Sequence, residues 1–237
     1  MSPKLPPIHP ATFSNSLMLE IATRLQSLGL SPGSVVLDPF AGLGHKLAWM
    51  CAQADLTPLG VEIETGYFLA GATHVCVRRG DSTNFHRFLD NTIDAAVTSS
   101  AYPNGVSDDF KAKDSSRRHT YVHRLRSHLG DDYVMAAGNS GAMNPRRSAA
   151  ALEAFYDIHR RVWAEVYRVL KPGATFLVNT KDPLKVPFRT DTEAQLRAAG
   201  FEIVDVIQVS TPGLNHGSNS EKKYTFEDIT VALKPLR

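Results

Sequence analysis

The 237-residue sequence predicts an α/β domain with a mostly parallel sheet of seven strands and an antiparallel C-terminal strand. From residue 34 to residue 98, short apolar runs alternate with stretches of helical periodicity, which is the pattern of βαβ units. Near the C-terminus, two further strand-like runs are joined only by a short polar loop. Because such a loop holds no crossover helix, this last pair is predicted to be antiparallel.

The individual helices and strands are predicted from the spacing of apolar residues and from the residues that cap or stop each element. The predicted strands are residues 34–38, 58–62, 74–78, 93–98, 175–179, 201–209 and 224–233. The predicted helices are residues 14–28, 44–53, 65–71, 149–170 and 192–199. Ser14 or Ser16 is expected to cap the first helix, and Lys171-Pro172-Gly173 to stop the fourth. We therefore expect a single domain, residues 1–237, with an insertion at about residues 103–148.

Composition narrows the class of protein. Hydrophobic residues make up 43% and charged residues 21%, as in soluble globular proteins, and the net charge is only +2. No apolar run approaches the roughly 18–20 residues that span a bilayer, and the N-terminus has no apolar signal-peptide core. Only two cysteines occur, without a CxxC or zinc-type spacing. We expect a cytoplasmic protein without a membrane segment.

Acidic residues close three successive predicted strands. Asp38 ends the first and leads into a turn with Gly42 and Gly44 before a helix, where backbone N–H groups and a helix dipole converge. Glu62 follows Gly42 by 20 residues, the spacing expected of an acid that binds a ribose diol. Asp81 is placed to accept from an adenine amine. The pattern favours a nucleoside-containing cofactor, and the alternative is a tight turn with strand-end caps.

The same logic serves dinucleotides, so NAD is the rival cofactor. The full dinucleotide motif needs Gly or Ala three positions after Gly44, where this chain has Leu47. The Asp38 carboxylate would also repel a pyrophosphate, whereas it suits an ammonium group. Both points favour S-adenosyl-L-methionine (SAM).

Residues 38–44 read Asp-Pro-Phe-Ala-Gly-Leu-Gly and resemble the DPFxGxG donor motif of SAM-dependent DNA amino-methyltransferases. Residues 9–13 are similar to the N-terminal donor-binding segment of that family. The resemblance covers about residues 8–100 and 150–235. It implies a Rossmann-like methyltransferase fold and SAM as cofactor. The implied cofactor-binding residues are Asp38, Phe40, Ala41, Gly42, Gly44, Glu62 (ribose), Asp81 (adenine) and Ser99. The chain departs from the family at His45-Lys46, where a Thr is usual.

Residues 99–103 stand where this family has Asp, Asn or Ser, then Pro-Pro, then an aromatic residue. The resemblance implies that Ser99 and the Ser100 carbonyl accept from the two hydrogens of a target amine. It also implies that Tyr102 stacks on a base flipped out of the helix. In the family, a leading Ser is associated with cytosine N4, and Asp or Asn with adenine N6. Cytosine N4 is therefore the favoured target.

Ser100 and Ala101 replace the two prolines of the motif, each of which would fix φ near −65°. Two alternatives remain open: the motif has drifted and is active, or the site is weakened or altered. Methylation of cytosine carbon 5 is set aside, because it needs a thiolate on the catalytic loop. Cys51 falls in a predicted helix and Cys76 in a predicted strand.

The predicted insertion is strongly basic. Its expected nucleic-acid contacts are Tyr102, Asn104, Lys111, Lys113, Arg117, Arg118, Arg124 and Arg126. Such a patch neutralises phosphates, and it follows the catalytic segment directly. The alternative is a solvated basic loop. No Cys or acid completes a metal site with His119, His123 and His128, so no metal is expected.

Three functional hypotheses follow. The first is a DNA amino-methyltransferase acting on cytosine N4 or adenine N6. The second keeps the fold and the donor but takes RNA. The third is a SAM-binding protein with lost or altered transfer activity, suggested by the missing prolines.

Overall fold

The computed structural model describes residues 14–71, 77–100, 133–143, 145, 148–180, 182, 187–210 and 226–236. The described helices are α1 (Asn15–Ser27), α2 (His45–Ala52), α3 (Thr65–Gly71), α4 (Ala149–Val169) and α5 (Phe188–Ala198), with a 3-10 turn at Ser140–Ala142. The described strands are β1 (Val35–Asp38), β2 (Thr57–Glu62), β3 (Val77–Arg79), β4 (Ile93–Ser99), β5 (Leu170–Thr180), β6 (Glu202–Ser210) and β7 (Phe226–Leu233).

The seven strands form one sheet in the order β3-β2-β1-β4-β5-β7-β6. The five strands from β1 to β5 pair in parallel, and β7 lies between β5 and β6, antiparallel to both. The predicted fold class is therefore confirmed. Because the parallel strands share one direction, the residues that end them all lie at one edge of the sheet.

Helices cover both faces of this sheet. On one face, α1 and α2 pack against the strands through a fully buried set that includes Leu17, Ile21, Leu47 and Met50. On the other face, α4 packs through buried residues that include Val162, Trp163 and Val166. The sheet is thus buried on both faces, which is why its central strands are almost continuously apolar.

Serine side chains cap two of the helices at the points where the helical spacing of apolar residues begins. The Ser14 hydroxyl accepts from the Leu17 N–H at 3.3 Å, so Ser14 is the cap of α1 rather than Ser16. The Ser148 hydroxyl accepts from the Ala151 N–H at 3.1 Å and caps α4 in the same way. The long helix α4 fixes one wall of the site described below.

Three predicted boundaries needed correction. Helix α5 begins at Phe188 rather than near residue 192, and β4 extends one residue further, to Ser99. Strand β5 begins at Leu170, directly after α4, whereas a start at residue 175 was predicted. The pairing with β4 jumps from Ile93 with Leu170 to Ala95 with Thr175, so a bulge absorbs the residues around Gly173. Lys171-Pro172-Gly173 therefore follows the helix but does not interrupt the strand.

No helix in the described part of the chain is long and apolar enough to cross a membrane. The predicted start of the third strand, residues 74–76, lies outside the described residues, as does most of the predicted insertion.

Candidate functional site

A pocket of about 600 Å³, its open mouth included, lies at the edge of the sheet where the parallel strands end. This edge is where open α/β sheets bind ligands. The lining residues come from the ends of β1 to β4, from residues 138–141 and from α4. They are Pro39, Phe40, Val61, Glu62, Ile63, Asp81, Ser82, Thr83, Ser99, Gly138, Asn139, Ser140, Gly141, Ile158 and Val162.

Asp38 lies just behind the pocket rather than on its wall. It is 2% exposed, and its Oδ1 accepts from the Phe40 N–H at 2.9 Å and from the Thr98 hydroxyl at 2.7 Å. Burial raises the pKa of Asp38 to about 7, although both hydrogen bonds favour the ionised form. The carboxyl group thereby fixes the turn that brings Phe40 to the pocket.

The glycine turn is held against β2. Gly42 and Gly44 have φ angles of 55° and 68°, which only glycine adopts without strain. The Ala41 N–H donates to the Val61 carbonyl at 3.1 Å. A Cβ at Gly60 would lie 2.5 Å from the Ala41 Cβ, so β2 needs glycine at the point of contact. Of the predicted donor residues, Ala41, Gly42 and Gly44 thus shape the turn and do not line the pocket.

Glu62 and Asp81, for which cofactor binding is the prediction, both line the pocket. Glu62 is 6% exposed and accepts from the Glu64 N–H at 2.7 Å and from the Gly42 N–H. Burial raises the pKa of Glu62 to about 7, and the nearby Glu64 and Asp38 carboxylates add to the effect. The Asp81 Oδ1 accepts from the backbone N–H and the hydroxyl of Thr83, at 2.9 and 2.8 Å.

The end of β4 brings Ser99 into the pocket wall. Its hydroxyl donates to Asn179 Oδ1 at 3.0 Å. Asn179, which is completely buried, uses its amide Nδ2 to donate to the Asp228 carbonyl at 3.4 Å. Ser100 is 1% exposed, and its hydroxyl has no partner among the described residues. Asn179 was not predicted as a site residue, although it lies one residue before the end of the parallel strand β5.

Residues 138–141 form a wall that sequence analysis did not assign to the pocket. Glu64, which is fully buried, holds this segment. Its Oε2 accepts from the Tyr133 hydroxyl at 2.6 Å. Its Oε1 accepts from the Ala136 N–H at 2.9 Å and from Asn139 Nδ2 at 2.6 Å. The available signal was a second acid two residues after Glu62.

The wall formed by α4 is apolar. Ile158 and Val162 line the pocket, and the Phe40 ring lies with its centroid 6.1 Å from that of Trp163 and 5.6 Å from that of His159. His159 is buried, and its Nδ1–H donates to the Phe155 carbonyl at 2.9 Å. Burial lowers the pKa of His159 to about 4, so the imidazole is neutral at pH 7.

The carboxyl groups that line the pocket indicate which kind of ligand it can bind. Two carboxyl side chains, Glu62 and Asp81, stand among the fifteen lining residues, and no Lys, Arg or His does. Among the described residues, a ligand rich in phosphate would meet carboxyl groups and no cation at this pocket. The apolar walls suit a flat ring, and the carboxyl groups suit hydroxyl, amine or cationic groups. The lining therefore fits a SAM-like nucleoside better than a dinucleotide.

Several predicted residues lie outside the described part of the chain. These are Tyr102, Asn104, Lys111, Lys113, Arg117, Arg118, Arg124 and Arg126. The histidine trio of the insertion lies outside it too. Among the described residues, no group of three or more His, Cys, Asp or Glu side chains forms a metal site.

No family model matches the chain, and no curated protein matches its sequence. Solved structures do match. A SAM-dependent methyltransferase from Aquifex aeolicus aligns with a TM-score of 0.51 at 12% identity, over 91% of this chain and 89% of that one. Geranyl diphosphate methyltransferase in complex with SAM aligns with a TM-score of 0.53 at 13% identity, over 92% and 85%. The cyclase SpnF aligns with a TM-score of 0.54 at 15% identity, over 92% and 82%.

At these identities the likeness concerns the fold. A structure named as a cyclase and structures named as methyltransferases share it, so the reaction has to be argued from the site. The alignments cover more than nine tenths of this chain, so the likeness extends over the whole seven-stranded sheet. The protein has the Rossmann-like fold of SAM-dependent methyltransferases.

Proposed function

We propose that the protein is a SAM-dependent methyltransferase that transfers a methyl group to an exocyclic amine of a nucleic-acid base. DNA is the favoured substrate, with cytosine N4 favoured over adenine N6. The observation that carries the proposal is the pocket in which Glu62, Asp81 and Ser99 meet at the ends of three strands of one sheet.

The donor assignment rests on the chemistry of the lining. Glu62 is suited to accept from ribose hydroxyls and Asp81 from the adenine amine. Phe40, Ile158 and Val162 supply apolar walls for the ring. SAM carries a sulfonium and an ammonium group, which suit the carboxyl groups of Glu62 and Asp81 in the described lining of the pocket. The methyltransferase fold supports the same donor.

The acceptor assignment rests on Ser99. The exocyclic amine of a base is a poor nucleophile, because its lone pair is delocalised into the ring. An oxygen that accepts from the amine holds it in place and favours a more tetrahedral nitrogen. A serine can accept only if its own proton is directed elsewhere. Ser99 donates that proton to Asn179 Oδ1, so the proton is directed to Asn179 and not to the amine.

Asn179 cannot turn its amide round without a loss. Its Nδ2 donates to the Asp228 carbonyl, which can only accept, and this contact keeps Oδ1 facing Ser99. When bound, SAM supplies an electrophilic methyl group, so that a C–N bond forms as the C–S bond breaks and one amine proton leaves to solvent. The residues of the chain contribute mainly alignment of the nitrogen with the methyl group.

Features of the amino-acid sequence support a nucleic acid, and DNA in particular, as the substrate. Six basic residues between Lys111 and Arg126 follow β4 in the chain, and such a patch is typical of phosphate binding. The resemblance of residues 38–44 to the donor motif of DNA amino-methyltransferases favours DNA. The Ser at position 99, at the head of the catalytic segment, favours cytosine N4.

Incubation of the purified protein with isotope-labelled SAM and either DNA or RNA, followed by nucleoside mass spectrometry, tests the proposal. We expect N4-methylcytosine in DNA, formed about 100-fold more slowly by the Ser99→Ala variant. N6-methyladenine would revise the target base, and a product in RNA alone would favour the RNA hypothesis. SAM binding without a product would favour the third hypothesis. Binding of NAD without binding of SAM would refute the donor assignment.

A further inference from the structure

Glu64 is a buried carboxylate with an unusual set of donors. It lies two residues beyond Glu62 and is 0% exposed. Its two oxygens accept three hydrogen bonds, from the Tyr133 hydroxyl and from the Ala136 N–H and Asn139 Nδ2, at 2.6, 2.9 and 2.6 Å. All three donors belong to one segment, residues 133–139. Because a buried charge is tolerated only when it is well hydrogen-bonded, these contacts hold the segment firmly.

The segment held by Glu64 becomes a wall of the pocket. Asn139 donates to Glu64, and its Oδ1 accepts from the Gly141 N–H at 2.8 Å, which starts the 3-10 turn. Residues 138–141 then line the pocket, and a Cβ at Gly138 would lie 4.0 Å from Asp81 Oδ2. The position of this wall relative to Asp81 is thus set through Asn139 by the Glu64 carboxylate.

Glu64 also contacts Glu62, which lines the pocket at the end of β2. Its backbone N–H donates at 2.7 Å to Oε1 of Glu62, the residue proposed to bind the ribose. The backbone of Glu64 therefore orients Glu62, and its side chain fixes residues 133–141. The same segment belongs to the C-terminal part of the predicted insertion, about residues 103–148, which precedes α4.

We propose that Glu64 is a positioning residue that clasps residues 133–141 over the donor pocket, so that donor binding and the placement of the insertion's C-terminal end are coupled. The inference rests on the proposed donor, but the clasp itself does not. A Gln at this position can keep its oxygen toward Ala136 N–H and Asn139 Nδ2, but it then turns an NH2 group toward the Tyr133 hydroxyl, which can no longer donate to residue 64.

The Glu64→Gln variant tests the clasp in two measurements. Amide hydrogen exchange on the ligand-free protein should become at least tenfold faster across residues 133–141, with exchange in β4 and β5 unchanged. Calorimetry should show a dissociation constant for SAM at least tenfold higher than that of the wild type. A thermal unfolding scan checks that the variant is folded.

Two tyrosine variants serve as matched controls. Tyr133→Phe removes one of the three donors and should weaken SAM binding two- to fivefold. Tyr156→Phe removes a tyrosine-to-carboxylate hydrogen bond of the same length, 2.6 Å to Asp191, away from the pocket lining. It should leave SAM affinity unchanged.

Wild-type exchange rates across residues 133–141 in Glu64→Gln would overturn the clasp. Altered exchange with a SAM dissociation constant within twofold of the wild-type value would overturn the coupling. If the wild type binds no SAM, the proposed donor and the coupling both fail, while the exchange data still decide whether Glu64 holds the segment.

Discussion

At the scale of single residues, the chemistry of the site depends on carboxyl groups buried at strand ends. Glu62 is the informative one, because it lines the pocket and its pKa is raised from 4.5 to about 7. Below pH 7 the carboxyl group of the ligand-free protein is therefore largely protonated. A ribose diol donates two hydrogen bonds and is bound best by the ionised form.

We therefore expect SAM affinity to rise with pH between 6 and 8 and to level off above. Glu62→Gln should weaken binding by tenfold or more at pH 8, since hydrogen bonds to a charged acceptor are worth about 1.5–3 kcal/mol. It should also flatten the pH dependence. Isothermal titration calorimetry across this range measures both effects.

Glu153→Gln is a suitable control for this series, because Glu153 is exposed on α4 and pairs with Arg160. It should leave both the affinity and its pH dependence unchanged. A wild-type affinity that falls as pH rises would contradict the assignment of Glu62 to the ribose.

The pairing of Ser99 with Asn179 gives a second prediction at this scale. Ser99→Ala removes the proposed acceptor and should lower turnover about 100-fold, within the range of such catalytic contacts. Asn179→Ala should lower turnover about tenfold, because Ser99 is then free to turn its proton toward the amine. In the Ser99→Ala background, Asn179→Ala should have no further effect on turnover.

Single-turnover rates at saturating SAM measure this double-mutant cycle. SAM dissociation constants should change less than twofold in all three variants. Additive effects on the rate would mean that Asn179 acts through the structure in general and not through the Ser99 hydroxyl.

At the scale of elements, the pocket depends on how closely the turn after β1 packs on β2. Gly60 lies beside Ala41, and a Cβ there would come within 2.5 Å of the Ala41 Cβ, which no side-chain rotation can relieve. The turn that carries Phe40 would have to move away from β2 and from the pocket.

Gly60→Ala should therefore weaken SAM binding at least fivefold and destabilise the fold by about 1–3 kcal/mol, the usual cost of overpacking. The double variant Gly60→Ala with Ala41→Gly removes the clashing methyl group and should recover most of the affinity. Calorimetry and urea unfolding measure the two effects. Failure of the second substitution to restore binding would show that the contact is not the cause.

For the molecule as a whole, buried carboxyl groups make the free energy of unfolding depend on pH. Asp38 and Glu62 ionise more easily in the unfolded chain, near pH 3.8 and 4.5, than in the fold, near pH 7. The folded state thus holds more protons between these values, and stability must fall as pH rises through this window. Their contribution is complete below pH 4 and is lost above pH 7.

The variants Asp38→Asn and Glu62→Gln remove this loss because they cannot ionise. Relative to the wild type, each should gain stability between pH 5 and pH 8 by roughly 2–3 kcal/mol, since a tenfold change in a proton dissociation constant is worth about 1.4 kcal/mol. Urea unfolding at pH 5, 6, 7 and 8 gives the comparison. A difference from the wild type that stays constant with pH would show that these groups ionise normally in the fold.

Local sequence patterns were enough to predict most helices and strands, the fold class of the sheet, and the position of Glu62 and Asp81 at strand ends. Local periodicity and capping are properties of neighbouring residues, which is why α1 and α4 were predicted nearly to their ends. The parallel direction of β1, β2 and β3 follows from the helices α2 and α3 between them. Glu62 and Asp81 were found because an acid at a strand end has a fixed place in such a sheet.

The start of β5 and the roles of Asn179 and Glu64 depend on contacts between residues that are distant in sequence. The bulge that starts β5 at Leu170 depends on pairing with β4, which is distant in sequence. Asn179 and Glu64 gain their roles from partners about 70 to 80 residues away, Ser99 and Asn139. Hydrogen bonds across such separations produce no periodic pattern in the sequence. Their partners come together only when the strands and residues 133–141 have packed.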